Sequence, residues 1–270
     1  MASLVKLLLL GMSFLSKIFR SQNTLYYPGC LTKFVAKDLL DNYRRILRQM
    51  KIDFIELANI ELCCGSPALK AGYFKNFQAL AEKNLKIFQD HGVTKIITNC
   101  PACFMIFKLE YPKVLGPKDP RSRTFRGEKW NIEVEHITQT ISQALKNSKL
   151  DIKALTQGLA TYHDPCHLGR QMGVYNEPRE VIKKLGYDLK EMALNKVESF
   201  CCGGGGGVQS NEPELSKRIA GDRLHQAKET GAPTLITTCP LCYMNLKDSA
   251  QQIEVKELSQ LFHNDEKTKS

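Results

Sequence analysis

The chain has 270 residues, 43% of them hydrophobic, with 38 basic and 28 acidic residues giving a net charge of +10. That length carries an ample core, so its 10 cysteines are not the disulfide framework of a small secreted chain, and reduced thiols in a cytoplasmic setting are expected. The positive charge favours acidic partners or an anionic membrane surface; no nucleic-acid recognition motif accompanies it, and nucleic acid is not an expected partner.

Residues 1–23 read as a basic amphipathic helix. Leu4, Leu8, Met12, Leu15 and Phe19 share one face, with Lys6, Ser13, Ser16, Lys17 and Arg20 opposite. Lys6 and Lys17 leave too short an apolar run for a membrane span, and no small-residue cleavage signature follows. Such a helix suits peripheral contact with a membrane through residues 1–20, or docking on a partner. From Thr24 short apolar strands alternate with amphipathic helices. Strands are predicted over Thr24–Tyr27, Ile52–Leu57, Thr94–Thr98 and Ile132–Val134, and helices over Val35–Met50, Phe74–Gln89 and Ile137–Leu145. A loop, Pro112–Lys129, carries Arg121, Arg123 and Arg126 and is a candidate dock for an acidic partner. The second half repeats the order, with strands over Leu159–His163 and Thr234–Thr237 and helices over Pro178–Leu185 and Glu212–Glu229.

The cysteines carry the repeat. Each half reads as a lone cysteine, an adjacent pair followed by glycine, and a C-P-x-C hook. In the first these are Cys30, Cys63-Cys64-Gly65 and Cys100-Pro101-Ala102-Cys103. In the second they are Cys166, Cys201-Cys202-Gly203 and Cys239-Pro240-Leu241-Cys242. The stretch from Gly92 to Cys103 also aligns with that from Gly231 to Cys242, and Ile132–Gln139 with Ile253–Gln260. The loop Pro112–Lys129 has no counterpart and is an insertion. Strand–helix alternation implies parallel βαβ units, and every cysteine group follows the end of a predicted strand, the edge where such sheets bind ligands. Two sites of five cysteines are therefore expected, one per half.

Helix N-termini at Cys100 and Cys239 favour thiolate by about 0.3–1 kcal/mol. Two bare charges about 4 Å apart repel by roughly 4 kcal/mol at an effective dielectric of about 20. Helix ends cannot hold five thiolates in one pocket, so either most stay protonated or a multivalent cationic centre binds them, and the second explains all ten cysteines more economically. Zinc and iron–sulfur clusters both ordinarily take four cysteines, one fewer than each half offers, and a thioredoxin-like dithiol would leave the adjacent pairs unexplained.

The doubled pattern from about Thr24 to Phe262 resembles the CCG-domain family of cysteine-rich iron–sulfur proteins. That family includes the B and D subunits of heterodisulfide reductase and the iron–sulfur subunits of lactate and glycolate oxidation. The resemblance implies an α/β fold of two tandem duplicated CCG domains, 24–150 and 151–270, related by pseudo-two-fold symmetry, each a small, mostly parallel sheet flanked by helices. It also implies two [4Fe–4S] clusters of the noncubane type, each using all five cysteines of its half. The implied function is an iron–sulfur electron-transfer or catalytic subunit of an oxidoreductase, one that reduces a disulfide small-molecule substrate. The alternatives are an acceptor of electrons from a lactate- or glycolate-type 2-hydroxy-acid dehydrogenase, and a zinc-stabilised interaction module. No C-x2-C-x2-C-x3-C ferredoxin run is present, which implies a flavoprotein or ferredoxin-type partner that brings or removes electrons. His163, Asp164 and His167 flank Cys166 where the first half has no histidine, and are candidate catalytic residues. Gly65, Gly203, Gly204 and Gly205 are candidates for bringing backbone N–H groups close to cluster sulfur.

Overall fold

The computed structural model describes residues 22–115, 130–150 and 158–262. The expected N-terminal helix and the arginines of the insertion lie outside the described residues. Two parallel sheets form, each flanked by helices. The first contains β1 (Asn23–Tyr27), β2 (Val93–Thr98) and β3 (Glu133–His136), in that order. The second contains β4 (Gly158–His163), β5 (Tyr187–Leu189), β6 (Thr234–Thr237) and β7 (Glu254–Glu257), ordered β5-β4-β6-β7. All pairings within the sheets are parallel.

The predicted strand Ile52–Leu57 is reduced to a single parallel bridge, Ile55 to Leu25. Tyr26 N–H donates to the Ile55 carbonyl at 3.0 Å and Ile55 N–H to that of Thr24 at 2.9 Å. This is an edge, with Asp53 exposed and Glu56 ion-paired to Arg44, and the equivalent edge of the second sheet, β5, is itself only 3 residues long. Short, charged edges resist pairing with other chains. The helix that starts at Pro101 outlasts the expected loop boundary at Pro112. It passes through a π-helical segment, Ile106–Glu110, and runs to Leu115. Proline, which has no N–H to give an α-ladder, sits here at the junction where the ladder already changes register.

Strand side chains alternate between faces, and this divides the core. On the first sheet's outer face Leu25, Tyr27 and Ile96 meet Phe77, Phe88, Phe107 and Tyr111. On the other face Tyr26 and Ile97 share one core with Tyr162 and Ile236 of the second sheet. Leu235 and Val255 then face Leu224 and Leu246 on the far side. Both faces of each sheet are covered, which is why the strands read as nearly continuous apolar runs. Tyr43 ties the halves further, donating to buried Glu257 at 2.5 Å. Glu257 and its counterpart His136 each cap the helix that follows, in a capping box closed by Gln260 and Gln139 respectively. Among the described residues no helix is long and apolar enough to cross a membrane.

Candidate metal centre

Thr98 lies beside both Tyr27 and His136 at the carboxyl edge of the first sheet, and Thr237 beside both His163 and Glu257 in the second. The cysteines lie just beyond these edges. Cys100 and Cys239 are the N-cap residues of their helices, with Pro101 and Pro240 opening the first turn. In the first half the thiols stand next to one another in the order Cys30, Cys63, Cys64, Cys103 and Cys100, each biasing its neighbour's proton. The Cys103 and Cys64 sulfurs are 3.4 Å apart. In the second half the order is Cys166, Cys201, Cys202, Cys242 and Cys239. All ten cysteines are free thiols, gathered five and five.

The two sets show how little charge such a pocket holds unaided. Thiol donors Cys30 and Cys64 and the Gly65 N–H hold Cys63 down to about 2. Cys100 is lowered to about 7 by the Cys103 thiol and by the N–H groups of the helix start. Cys30 and Cys103 are pushed up because their protons are donated to those neighbours and because burial penalises a thiolate. Cys201 is likewise held low by Cys166 and Cys202, while Cys202 rises to about 12 and Cys242 rises strongly. A second negative charge beside the first is disfavoured unless a cation joins them.

The glycines bring backbone donors to these sulfurs. Gly65 N–H and Gly203 N–H each donate at 3.4 Å, to Cys63 and Cys201, and Gly204 N–H donates at 3.5 Å to Cys202. Gly205 serves a turn instead, its carbonyl accepting from Val208 N–H at 3.2 Å. Gly65 and Gly203 have φ of +88° and +84°, and a Cβ at Gly203 would stand 2.6 Å from the Ser216 carbonyl oxygen. Only glycine fits that turn and that approach.

His163 and His167 stand on different sides of the second site. His163 is fully buried, and one of its ring nitrogens lies within 4.8 Å of the sulfurs of Cys202 and Cys242. Its Nδ1 accepts from Arg223 Nε at 3.1 Å, and burial followed by the Arg223 charge lowers its pKa to about 3. His167 Nδ1 is 3.5 Å from the Cys166 sulfur, and its Nε2 meets Lys70 Nζ from the first half. An ammonium only donates, so Nε2 accepts and Nδ1 holds the proton facing Cys166. Burial and then Lys70 lower His167 to about 4. Asp164 is committed elsewhere: its carboxylate takes two hydrogen bonds from Arg179, at 2.7 and 2.9 Å, and one from Lys196 N–H at 2.9 Å. Its carboxylate anchors the loop behind Cys166.

The halves buttress each other's sites. Leu168 and Val174, from the segment after Cys166, pack in one core with Cys64 and Cys103. Ala36 and Leu39, from the segment after Cys30, pack with Cys202, Cys239 and Cys242. Sequence reasoning missed Lys70, Arg223, Asn84 and Asn245. Asn84 Nδ2 donates to the Cys63 carbonyl at 3.0 Å, and Asn245 Nδ2 to the Cys202 carbonyl at 2.6 Å. Aligning the halves on Gly92 and Gly231 sets Asn84 against Arg223, a signal present in the duplication itself.

Residues 24–108 and 160–247 match the profile of the family described as "Cysteine-rich domain" (CCG). A dihydromethanophenazine:CoB–CoM heterodisulfide reductase subunit from Methanosarcina acetivorans is 32% identical over 243 residues, covering 88% of this chain and 56% of that protein. The EtfAB:quinone oxidoreductase of Syntrophomonas wolfei is 32% identical over 252 residues, 88% of this chain and 33% of that protein. FadF of Bacillus subtilis, a probable iron-sulfur-binding oxidoreductase, is 33% identical over 217 residues, 80% of this chain and 29% of that protein. The chain thus spans little more than half the length of the first of these relatives and about a third of the other two.

Proposed function

The chain belongs to the CCG cysteine-rich domain family, and from that membership we propose that it is an iron–sulfur electron-transfer subunit of an oxidoreductase complex. The carrying observation is the assembly of ten free cysteines into two sets of five, each at the carboxyl edge of its own sheet. The donor set fits iron–sulfur chemistry: soft sulfur ligands, backbone N–H groups directed at sulfurs of both sets, and a buried guanidinium with no acid at ion-pair distance behind the second set. It fits zinc poorly, because a tetrahedral ion leaves one thiol of each five unused.

Cys30, Cys63, Cys64, Cys100 and Cys103 would hold one cluster, and Cys166, Cys201, Cys202, Cys239 and Cys242 the other. We read both as [4Fe–4S] and noncubane, with 24–150 and 151–270 as the two units that carry them. When bound, such clusters supply one-electron storage. The protein's own groups act around them. Gly65, Gly203 and Gly204 place N–H donors on the cysteine sulfurs, and Asn84 and Asn245 fix the loops that present the adjacent pairs. His167 holds a proton toward Cys166, and Lys70 offers positive charge beside it from the opposite half. This is the side on which an anionic disulfide or thiol would meet both a charge and a proton donor. Asp164 is a positioning residue in this reading, and the handling of protons falls to His167.

A flavoprotein or ferredoxin-type subunit is the proposed electron partner. The similarity to FadF and to an EtfAB:quinone oxidoreductase keeps a second reading, in which the chain accepts electrons from a dehydrogenase system rather than reducing a disulfide. Anaerobic purification followed by iron, sulfide and zinc analysis tests the shared claim. Iron with acid-labile sulfide is expected, and zinc without sulfide would overturn it. Affinity capture of the native partner under the same conditions separates the two readings.

A further inference from the structure

The two sites are built alike and charged differently. The helices Phe74–Asp90 and Pro213–Glu229 occupy matching places, and alignment on Gly92 and Gly231 sets Asn84 of the first against Arg223 of the second. Both side chains are 0% exposed. Asn84 is neutral and hydrogen-bonds the Cys63 carbonyl and the Tyr111 hydroxyl. Arg223 donates to His163 Nδ1, to the Leu194 carbonyl at 2.8 Å, to Gln226 Oε1 at 2.7 Å and to Ser199 Oγ at 3.0 Å. All four acceptors are neutral, and among the described residues no carboxylate lies at ion-pair distance from it. Its neighbour Arg179 is paired with both Asp164 and Glu191. The charges of Asp164 and Glu191 reach Arg223 only at longer range, both being bonded to Arg179; a buried guanidinium with no bonded counter-charge is costly, and it persists where something anionic completes the site.

His163 shows where that anion lies. A guanidinium only donates, so Nδ1 of His163 accepts and the neutral ring carries its proton on Nε2. That Nε2 is buried without a hydrogen-bond partner, on a ring that reaches within 4.8 Å of the Cys202 and Cys242 sulfurs. A protonated nitrogen donates to sulfur and does not ligate metal. In the first half the matching position is Tyr27, whose hydroxyl is taken up by the Leu62 carbonyl at 2.7 Å. The charge of Lys33 there is opposed by Glu61, 3.8 Å away. The second site therefore has a fixed positive charge, and among the described residues only there does a buried histidine lie within 4.8 Å of two cysteine sulfurs. Exposed Lys70 and Arg170 add charge beside His167, weakened by solvent screening.

We infer that Arg223, acting through His163, makes the second centre the more easily reduced of the two. Reduction adds negative charge, and both a fixed cation and hydrogen bonds to sulfur stabilise the reduced state. The inference rests on the iron–sulfur reading and adds an order to it: electrons entering the pair collect on the Cys166–Cys242 side, where His167 and Lys70 stand.

The test is an EPR-monitored redox titration of the anaerobically purified full chain, after iron and sulfide analysis, with Cys63→Ser and Cys201→Ser used to assign the signals. The signal with the higher midpoint is expected to be the one lost in Cys201→Ser. Arg223→Gln should lower that midpoint by at least 59 mV, a tenfold change in the ratio of reduced to oxidised centre for one electron. Arg223→Lys should lower it less, and neither should move the other midpoint. Loss of the lower-midpoint signal in Cys201→Ser overturns the inference. So does a cluster-loaded Arg223→Gln protein with both midpoints unmoved or moved equally. Should Arg223→Gln fail to fold, the assignment in the wild type decides alone. Absence of acid-labile sulfide from the wild type would overturn the iron–sulfur reading and this inference together, whereas clusters in the reverse order would sink the inference only.

Discussion

Replacing Gly203 by alanine tests the geometry of the second site without touching a cysteine. At φ +84° an L-residue is strained by about 1–2 kcal/mol. The new Cβ would also stand 2.6 Å from the Ser216 carbonyl oxygen and 3.2 Å from Ile219 Cβ. The first contact is with helix backbone, which cannot rotate away, and overpacking of this kind costs about 1–3 kcal/mol. Together the loss is roughly 2–5 kcal/mol. The same shift would strain Ser216, whose hydroxyl donates to the Gly203 carbonyl at 3.0 Å, and Asn245, which holds the Cys202 carbonyl. Gly205→Ala is the matched control, since its Cβ would meet nothing within 4 Å and its φ is unremarkable. It should fall within about 0.5 kcal/mol of wild type. Urea unfolding of the metal-free proteins measures both. At a slope of about 3 kcal/mol/M, Gly203→Ala should unfold at least ~0.7 M earlier. A Gly203→Ala protein with the wild-type midpoint would refute the steric reasoning, and with it the account of why glycine follows the cysteine pair.

Further outcomes follow from the buried polar groups. Burial lifts Glu257 to about 7 from an ordinary 4.5, so the folded protein holds a proton there that the unfolded chain gives up earlier. Its contribution is fully present below about pH 4.5 and is lost as pH rises through about 7, an amount of roughly 3 kcal/mol. Glu257→Gln should therefore gain stability over wild type as pH is raised across that window; parallel stability–pH curves would contradict the assignment. Lys70→Ala should raise the His167 pKa from about 4, because the largest cause of its depression after burial is removed. An NMR titration of the metal-free protein reads this directly, and an unmoved His167 would deny the contact between the halves. Asp164→Asn removes the charge that pairs with Arg179 across a fully buried contact, and should destabilise by about 3–5 kcal/mol in denaturant unfolding. A loss under 1 kcal/mol would show that Glu191 alone suffices.

Much of the site was legible because cysteine spacing survives what blurs strands and helices. The period of β2 and β6 and the caps at Cys100 and Cys239 pointed to the carboxyl edge of each sheet. The repeat of Ile132–Gln139 at Ile253–Gln260 anticipated the matched capping boxes at His136 and Glu257. The strand over Ile52–Leu57 was over-read because apolar alternation marks an edge as readily as a paired strand. Asp164 suggested acid–base chemistry from its place beside Cys166, but its carboxylate is bonded by Arg179, fifteen positions along the chain on another element, a partner that spacing does not reveal. Lys70 was invisible because its partner His167 is 97 residues away and in the other half. Arg223 falls at the spacing of buried Ala220, Leu224 and Ala227, but a cation at such a position is ordinarily assigned to solvent.

The central claim is that the ten cysteines form two separate metal centres. Iron and acid-labile sulfide measured per chain in wild type, Cys63→Ser and Cys201→Ser, all purified anaerobically, tests it most directly. About eight iron and eight sulfide are predicted for wild type. Each variant should retain about half, with complementary spectra that sum to the wild-type spectrum. A folded variant that has lost all its iron, or one that keeps the full complement, would contradict the account.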